Sequence, residues 1–577
     1  MKKKLLPALI VTGLIILVVI IMGITALINK YTPTKKTEDL KEYFNISSDD
    51  EVALIVNNEL SDYKAKIIDK KIYVDYKFVH DSLNSRFYWD ANENVLLYTT
   101  ASDIISAAAD SNSYSVTKQT NDFGYPIVKA TSDSALIALD YVKQYSNITF
   151  KSYDDPARIV ITSKWDEIDS ATVSKSTQVR VKGGIKSPIL KEVKKDDKIT
   201  ILDSGDKWDK VATEDGVIGY IKRKALSESK KTKLTNPDYE EETFTHIKKD
   251  KDICLAWNQV TSQSANSKVP QVISSTKGIN VMSPTWFYLN DNNGNLADIA
   301  SKDYVSYCHS QGIEVWGLFS NLENTDVDAA YVLTHTSTRT TLINQIMSAA
   351  FNYELDGVNI DFENITEAAY GDSYIEFIRE LSIKCHNNGI SLSVDVTVPA
   401  SFNKFFNRSD MAKFADYIVI MGYDEHYKGS DAGSVSSIPW VTEGVESTLK
   451  EVPADQIILG MPFYTRIWEL TPKEDDDAVT DTEDQSKYTV ASQVYSMDAA
   501  AAQLDTNNAT AALDEESGQN YAEWSASNKL YKVWLEDSTS LEKRLKLVDD
   551  NKLAGAAFWK LGFENSSVWD TVIKYLD

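Results

Sequence analysis

Two carboxylates and an amide share one face of a short apolar segment, LDGVNIDFENI at residues 355–365. Side chains alternate along a strand, so Asn359, Asp361 and Glu363 lie on one face, and the apolar residues between them lie on the other. Carboxyl groups two residues apart on a strand are about 6.6–7 Å apart along the backbone and resist double ionisation, so one keeps its proton near neutral pH. The segment therefore predicts an acid–base site. The alternative is a buried polar network that only positions the strand.

The segment is one of eight strand-like runs that alternate with amphipathic helical runs over residues 246–577. This alternation predicts an α/β fold, a TIM (β/α)8 barrel, with an open doubly wound sheet as the alternative. The carboxyl ends of barrel strands open on the active site, so Glu363 is expected at the mouth. The strand-like runs are 253–258, 279–283, 313–320, 355–363, 390–398, 417–424, 457–464 and 553–561. The gap before the last run is too long for one helix and predicts a small insertion subdomain near 467–530.

Four ordered motifs in this region resemble glycoside hydrolase family 18. DGVNIDFE, ending at Glu363, resembles the family signature D-x-x-D-x-D-x-E but has Asn359 where the wider family usually has Asp. A branch of the family with spore and cell-wall lytic members often reads N-I-D-F-E, and SPTWF at 283–287 also resembles that branch. The other motifs, which resemble those of the sixth, seventh and eighth strands, are MGYD at 421–424, GMPFY at 460–464 and AFWKLG at 557–562.

The resemblance implies a role for each matching residue. Glu363 would protonate the leaving glycosidic oxygen, and Asp361 would hold the acetamido N–H while the substrate's own acetamido oxygen attacks C1. Tyr423 would hydrogen-bond the acetamido oxygen with the help of Asp424, and the reaction would proceed with retention and need neither a cofactor nor a metal. Trp559 would form an apolar floor beneath the sugar. The residues expected to contact the substrate are Asn359, Met421, Trp559, Tyr464, Trp286 and Asp356.

The chain begins with a segment suited to a membrane. Residues 5–28 are an uncharged apolar run after the lysine-rich tail 1–4, and about 20 apolar residues span a bilayer. A retained transmembrane anchor is therefore expected, and a cleaved signal peptide is the alternative. The polar segments 29–48 and 227–245 are expected to be a stalk and a linker.

Two domains are predicted between the stalk and the barrel. Residues 50–165 contain two similar blocks, 73–100 and 136–163, each with a helical pattern followed by two strands. They resemble the duplicated α+β domain named after the copper amine oxidase N-terminus, although His80 is their one histidine and offers no copper cluster. Residues 171–226 contain short β-type runs and resemble bacterial SH3 domains, small β-barrels that often bind cell-wall components. A structural module with a solvated basic face is the alternative.

The composition of the chain limits the classes of ligand and partner that it is expected to bind. The net charge of −25 argues against nucleic acid, because phosphate binding needs a basic surface. The three cysteines are far apart and fit neither a disulfide framework nor a metal site. The acidic run at 474–484 is expected to be a solvated loop, with a Ca²⁺ site as the alternative.

Together these features predict a membrane-anchored hydrolase that cleaves β-1,4 bonds next to N-acetylglucosamine in bacterial peptidoglycan. Its N-terminus would be cytoplasmic, its barrel extracellular, and its SH3-like domain in contact with the cell wall. A chitinase or chitooligosaccharide hydrolase is one alternative, since the mechanism requires only an N-acetylated sugar. A catalytically silent glycan-binding scaffold is the other, and the retained Glu363, Asp361 and Tyr423 argue against it.

Overall fold

The computed structural model describes residues 2–363, 365, 368–473 and 485–576. The acidic run 474–484, with its alternative Ca²⁺ site, lies outside the described residues. The chain divides into two compact units. Unit 1 comprises residues 1–89, 107–114 and 121–241, and unit 2 comprises 90–106, 115–120 and 242–577.

The N-terminal segment is a single helix, Lys2–Tyr31. Its part from Leu9 to Tyr31 has a mean hydropathy of 2.9 and is long and apolar enough to cross a bilayer. These properties fit a membrane anchor and a signal sequence alike, so the anchor and its orientation stay predictions.

Unit 1 contains two seven-stranded sheets with helices Leu40–Tyr43, Tyr76–Ser82 and Leu139–Gln144. The first sheet has the spatial order Thr149–Tyr153, Arg158–Thr162, Glu51–Val56, Glu59–Ile68, Lys71–Asp75, Ala135–Ala138, Val128–Ala130. The second has the order Ile189–Val193, Thr177–Arg180, Ile218–Lys222, Trp208–Thr213, Lys198–Asp203, Glu167–Thr172, Lys230–Lys233. A separate five-stranded sheet is formed by residues 87–122, a range that the division above assigns partly to each unit; its strands are Phe87–Asp90, Val95–Thr99, Ile104–Ala108, Ser113–Val116 and Gln119–Asp122.

Both sequence blocks of residues 50–165 fold in the same order of elements. Each consists of a strand, a helix and two further strands. The pattern of the blocks predicts the helix and the two strands after it, but not the strand before the helix. The predicted stalk is shorter than expected, because Phe44 is fully buried in the core of unit 1 with Val179 and Val211. The Phe44 ring belongs to a polar stretch of the sequence but packs in an apolar core, a contact that composition alone does not reveal.

Unit 2 contains a closed barrel of eight parallel strands, which confirms the predicted fold. Strand β1 pairs with both β2 and β8, and each other strand pairs with its neighbours in the chain. The strands are β1 (Ile253–Asn258), β2 (Val281–Leu289), β3 (Glu314–Ser320), β4 (Gly357–Asp361), β5 (Ser391–Thr397), β6 (Tyr417–Met421), β7 (Ile457–Pro462) and β8 (Gly555–Trp559). A short strand, Leu296–Asp298, extends β2 antiparallel. The α-helices around the barrel are Val269–Ile273, Lys302–Ser310, Ala329–Thr334, Thr336–Tyr353, Ala368–His386, Arg408–Phe414, Ile438–Thr448, Ser538–Asn551 and Trp569–Val572.

A subdomain is inserted between β7 and β8. It consists of a five-stranded antiparallel sheet and the helix Met497–Asn507. Its strands are Tyr464–Pro472, Tyr488–Ser496, Ala512–Asp514, Gln519–Ala526 and Lys529–Leu535. The subdomain begins three residues before, and ends five residues after, the predicted range of 467–530.

Alternation along β4 separates two environments. Val358 and Ile360 are fully buried in the core between the strands and the outer helices. Asn359, also fully buried, points into the barrel and bonds across it to other strands. The apolar face of the segment is therefore the packing face, and the polar face lines the barrel interior.

Candidate active site

Asn359 forms the centre of a polar layer inside the barrel, and all four of its hydrogen-bonding positions are used. Its amide oxygen accepts from the indole N–H of Trp257 and the hydroxyl of Ser283, each at 3.0 Å. Its amide nitrogen donates to Ser393 Oγ at 3.0 Å and to Asp395 Oδ1 at 2.7 Å. An amide uses two donors and two acceptors here, which a carboxylate could not supply.

This geometry explains the departure from the family signature. An Asp at position 359 would place a second carboxyl group 2.7 Å from Asp395 Oδ1, and one of the two would have to hold a proton for a hydrogen bond to join them. Asn359 instead lowers the pKa of Asp395, although burial and the charge of Glu363 together hold that pKa well above its ordinary value. The Asn359 amide thus gives the buried Asp395 a hydrogen bond without adding a second ionisable group to the barrel interior.

Asp361 lies at the end of β4, opposite Ser320 of β3 in the sheet register. Its Oδ1 atom is buried and has no hydrogen-bond partner among the described residues. Burial, followed by the charges of Asp395, Glu363 and Glu323, raises the pKa of Asp361 well above its ordinary value. An unpaired, buried acceptor of this kind is costly for a folded chain, so it marks a place where a ligand can donate a hydrogen bond.

Glu363 lies just beyond β4 and reaches solvent at the barrel mouth. Its backbone N–H donates to Asn321 Oδ1 at 3.1 Å, which ties it to the turn after β3. Protein around the carboxyl group, together with the charges of Asp424 and Glu323, raises its pKa. A carboxyl at the mouth that keeps its proton to a higher pH than usual is suited to act as a general acid.

The sixth and seventh strands bring a second group of side chains to the mouth. Tyr423 is half-buried, and burial with the charges of Asp361, Asp395 and Glu363 raises its phenol pKa well above the ordinary value, so it stays protonated as a donor. The hydroxyl of Tyr464 donates to Asp424 Oδ1 at 2.6 Å, and Arg466 lies 3.7 Å from the same atom.

Aromatic rings form the wall beside these polar groups. Trp559, at the end of β8, lies with its ring 6.0 Å from that of Trp257, edge to face. The Trp257 ring is also 6.5 Å from Tyr423. Met421 is 8% exposed at the end of β6. The structure therefore brings Glu363, Asp361, Asn359, Tyr423, Asp424, Tyr464, Met421 and Trp559 to the interior and the carboxyl end of one barrel.

Trp286 does not belong to this group, and its prediction as a substrate contact is wrong. Its side chain is fully buried, its indole N–H donates to Asn266 Oδ1 at 2.7 Å, and its ring packs at 4.8 Å on Tyr304. Ser283 of the same strand points into the barrel, so a residue three positions later points to the outer helices.

Asp356 is also wrongly predicted as a substrate contact. It precedes β4, so it lies at the amino end of the barrel, about 16 Å along the strand from the mouth. Its Oδ2 atom accepts from the Val315 N–H and lies 2.8 Å from His309 Nε2. Both bonds join neighbouring elements of the barrel, and this is a structural role.

The sequence did not predict four residues that lie at or near the mouth: Asp395, Asn321, Glu323 and Arg466. Asp395 had a usable signal, because SLSVDVT at 391–397 alternates polar and apolar residues just as the β4 segment does. The other three follow or begin strands in stretches without such a period. Only the tertiary structure brings them to the mouth, where Asn321 and Glu323 lie near Glu363 and Arg466 lies near Asp424.

Part of the chain is similar to known proteins. Residues 318–564 match the family described as Glycosyl hydrolases family 18. The chain is 24% identical over 301 residues to the uncharacterized glycosylase YvbX of Bacillus subtilis, covering 49% of this chain and 81% of the relative. It is 25% identical over 287 residues to the cortical fragment-lytic enzyme of Bacillus subtilis, covering 48% of this chain and 63% of that enzyme. The fold is shared with a solved structure, the C-terminal domain of a Desulfitobacterium hafniense protein described as a chitinase. The TM-score is 0.50 at 19% identity, and the match covers 57% of this chain and 100% of that domain.

Proposed function

We propose, on the premise that residues 318–564 form a domain of glycosyl hydrolases family 18, that this chain cleaves the glycan of bacterial peptidoglycan. The bond cut would be the β-1,4 bond that leaves N-acetylglucosamine at the new reducing end. The N-terminal helix Lys2–Tyr31 would anchor the enzyme with its barrel outside the membrane.

The proposal rests on two neighbouring carboxyl groups. One is buried and has an oxygen without a hydrogen-bond partner among the described residues, and the other reaches the barrel mouth. Asp361 offers a buried oxygen that no described residue hydrogen-bonds, and burial with the charges of Asp424 and Glu323 raises the pKa of Glu363 at the mouth. An acetamido N–H would satisfy Asp361, and a glycosidic oxygen would receive the proton of Glu363. One N-acetylated sugar at the mouth fits both groups at once.

The reaction would follow from this placement in two steps. In the first, Glu363 protonates the leaving oxygen while the acetamido oxygen of the substrate attacks C1, so the C1–O bond breaks and a cyclic oxazolinium forms. In the second, ionised Glu363 takes a proton from water, which attacks C1 and opens the ring. Two inversions at C1 give overall retention of configuration.

The remaining side chains would hold the acetamide in the attacking geometry. Tyr423 would donate to the acetamido oxygen, since its phenol stays protonated among the carboxylates. Asp424 would act on the same group, fixed by Tyr464 and near Arg466. Trp559 would pack beneath the apolar face of the sugar.

Peptidoglycan is preferred to chitin because of the relatives. One carries the name cortical fragment-lytic enzyme, and we infer a related cell-wall substrate here. The SH3-like segment 171–226 would support this function by binding the wall, since it carries 13 Lys and Arg against 8 Asp and Glu in a chain of net charge −25.

The test is to incubate the full chain in detergent with purified peptidoglycan and, separately, with chitin. New ends are then reduced with borohydride and identified by mass spectrometry. We expect reduced N-acetylglucosamine from peptidoglycan. Reduced muramic acid would contradict the assigned bond, cleavage of chitin alone would favour the chitinase alternative, and no cleavage of either by folded protein would leave a glycan-binding scaffold.

A further inference from the structure

Asn321 lies at the same end of the barrel as the two carboxyl groups and is the first residue after β3. Its predecessor Ser320 is the register partner of Asp361, so Asn321 lies one residue beyond Asp361 on the adjacent strand. Its Oδ1 accepts the backbone N–H of Glu363 at 3.1 Å. This turn therefore fixes the main chain of the residue that we propose as the acid.

The nitrogen of the Asn321 amide has no partner among the described residues. The residue is 9% exposed, and its Nδ2 atom is buried without a hydrogen-bond partner in the described part of the chain. The amide cannot simply be reversed, because Nδ2 would then face the N–H of Glu363, donor against donor. A buried amide nitrogen carries two hydrogens, and native proteins rarely leave such a group without a partner.

Asn321 and Asp361 are complementary, yet they do not bond to each other. Asn321 Nδ2 is a donor and Asp361 Oδ1 an acceptor, both are buried, and they project from the ends of neighbouring strands. A third molecule with both an N–H and an oxygen acceptor would satisfy both atoms. An N-acetylated sugar has these groups on adjacent carbons, which neither water nor an apolar ligand provides in a fixed arrangement.

We propose that Asn321 is a substrate-binding residue whose side-chain amide donates a hydrogen bond to an oxygen atom of the N-acetylated sugar beside Glu363. This inference rests on the proposed function and deepens it, because it adds a donor from the third strand to the acceptor from the fourth. Asn321 has two tasks: its oxygen positions Glu363 and its nitrogen binds the sugar.

The test measures binding apart from turnover. The full chain carrying Glu363→Gln is titrated in detergent with the β-1,4-linked tetramer of N-acetylglucosamine by calorimetry, alone and combined with Asn321→Asp. Asp keeps the volume and the oxygen that accepts the backbone N–H, but it removes the donor. We expect about tenfold weaker binding in the double variant, as for the loss of one neutral hydrogen bond.

Asn324→Asp in the same background is the matched control. Asn324 lies three residues further along the same turn, and its amide nitrogen already donates to the carbonyl oxygen of Asn290 at 2.8 Å. The control variant should therefore bind the tetramer as tightly as the Glu363→Gln parent does. If Asn321→Asp lowers the melting temperature, Asn321→Ala provides a second variant without an added charge. Equal affinity of a folded Asn321 variant and the parent would overturn the inference while leaving the proposed function intact. Failure of the Glu363→Gln parent to bind the tetramer would also overturn the inference, whereas the proposed function would still be decided by the peptidoglycan assay.

Discussion

The two ends of β4 carry aspartates of the same chemistry in opposite situations. Asp356, at the amino end, is bonded to the backbone of β3 and to a histidine. Asp361, at the carboxyl end, has a buried oxygen that no described residue hydrogen-bonds. The difference teaches that the amino end of this strand uses its carboxylate to hold neighbouring elements together, whereas the carboxyl end leaves a buried carboxylate oxygen without a partner among the described residues.

The amino-end arrangement occurs twice, which strengthens the comparison. Asp416 immediately precedes β6, accepts from the Leu392 N–H of β5 at 2.8 Å, and lies 3.0 Å from His386. Asp356 does the same with Val315 of β3 and with His309. In both cases the histidine lies near the end of the helix before the earlier strand and five residues before that strand begins. Both aspartates lie at the amino ends of their strands, away from the mouth, and the recurrence of the same contacts indicates a structural role.

Glu363→Gln should produce the largest effect at the mouth. Glutamine keeps the shape of the side chain but cannot give a proton, so we expect kcat to fall about 10²–10⁴-fold, the usual contribution of general acid catalysis. The melting temperature should stay near that of the parent. Release of reducing ends from peptidoglycan measures the loss, and near-full activity would show that another group is the acid.

Asp361→Asn and Asp356→Asn make the same change at the two ends of one strand. At Asp361 we expect about 10²-fold lower kcat, because a neutral amide accepts the acetamido N–H more weakly than a carboxylate and cannot stabilise the positive charge of the oxazolinium, with an unchanged or higher melting temperature. At Asp356 we expect full activity per folded molecule and a loss of about 1 kcal/mol in the free energy of unfolding, as a charge-assisted bond becomes neutral. Equal losses of activity in the two variants would refute the division between the ends.

The stability gain from Asp361→Asn should depend on pH. Because the folded pKa of Asp361 lies above its unfolded value, the folded state binds more protons, and this group destabilises the wild type increasingly as pH rises. The difference in melting temperature between variant and wild type should therefore disappear below about pH 4, where the unfolded carboxyl is also protonated. A difference that stays constant from pH 3 to 8 would contradict the assignment.

Asp416→Ala tests the amino end where it is most buried. The change leaves the N–H groups of Leu392 and Ile247 without their acceptor, so we expect a loss of about 3 kcal/mol in the free energy of unfolding. Activity per folded molecule should be unchanged. Urea denaturation with activity measured on the folded fraction gives both quantities, and a large fall in kcat without a fall in stability would contradict the structural role.

Glu323→Gln should give the smallest effect. The charge of Glu323 helps raise the pKa of Glu363, so removing it should lower that pKa. Because the acid must be protonated, the basic limb of the kcat/KM profile should move to lower pH, by roughly a few tenths of a unit for an exposed charge. Glu446→Gln, exposed on the helix Ile438–Thr448, should leave the profile in place.

Period and order in the sequence were enough to predict the barrel and most of the mouth. The alternation of Asn359, Asp361 and Glu363 with apolar residues defined a strand with one polar face, and this holds in the structure. Asp356 was misassigned because every residue of the family motif was expected to lie at the site. The first and last residues of that motif lie at opposite ends of a strand. Trp286 was misassigned because its position near a strand end does not reveal which face it occupies.

The sequence by itself determined the elements, their order and the column of polar residues on β4, since these depend on local periodicity. Only the tertiary structure decided which groups share a hydrogen bond. Asn359 is satisfied by residues from β1, β2 and β5, and Asn321 reaches Glu363 from β3, all through contacts between segments distant in the chain. The physical reason is that closing the barrel brings the strand ends together, and the packing there decides which buried polar atoms are paired and which have no partner among the described residues.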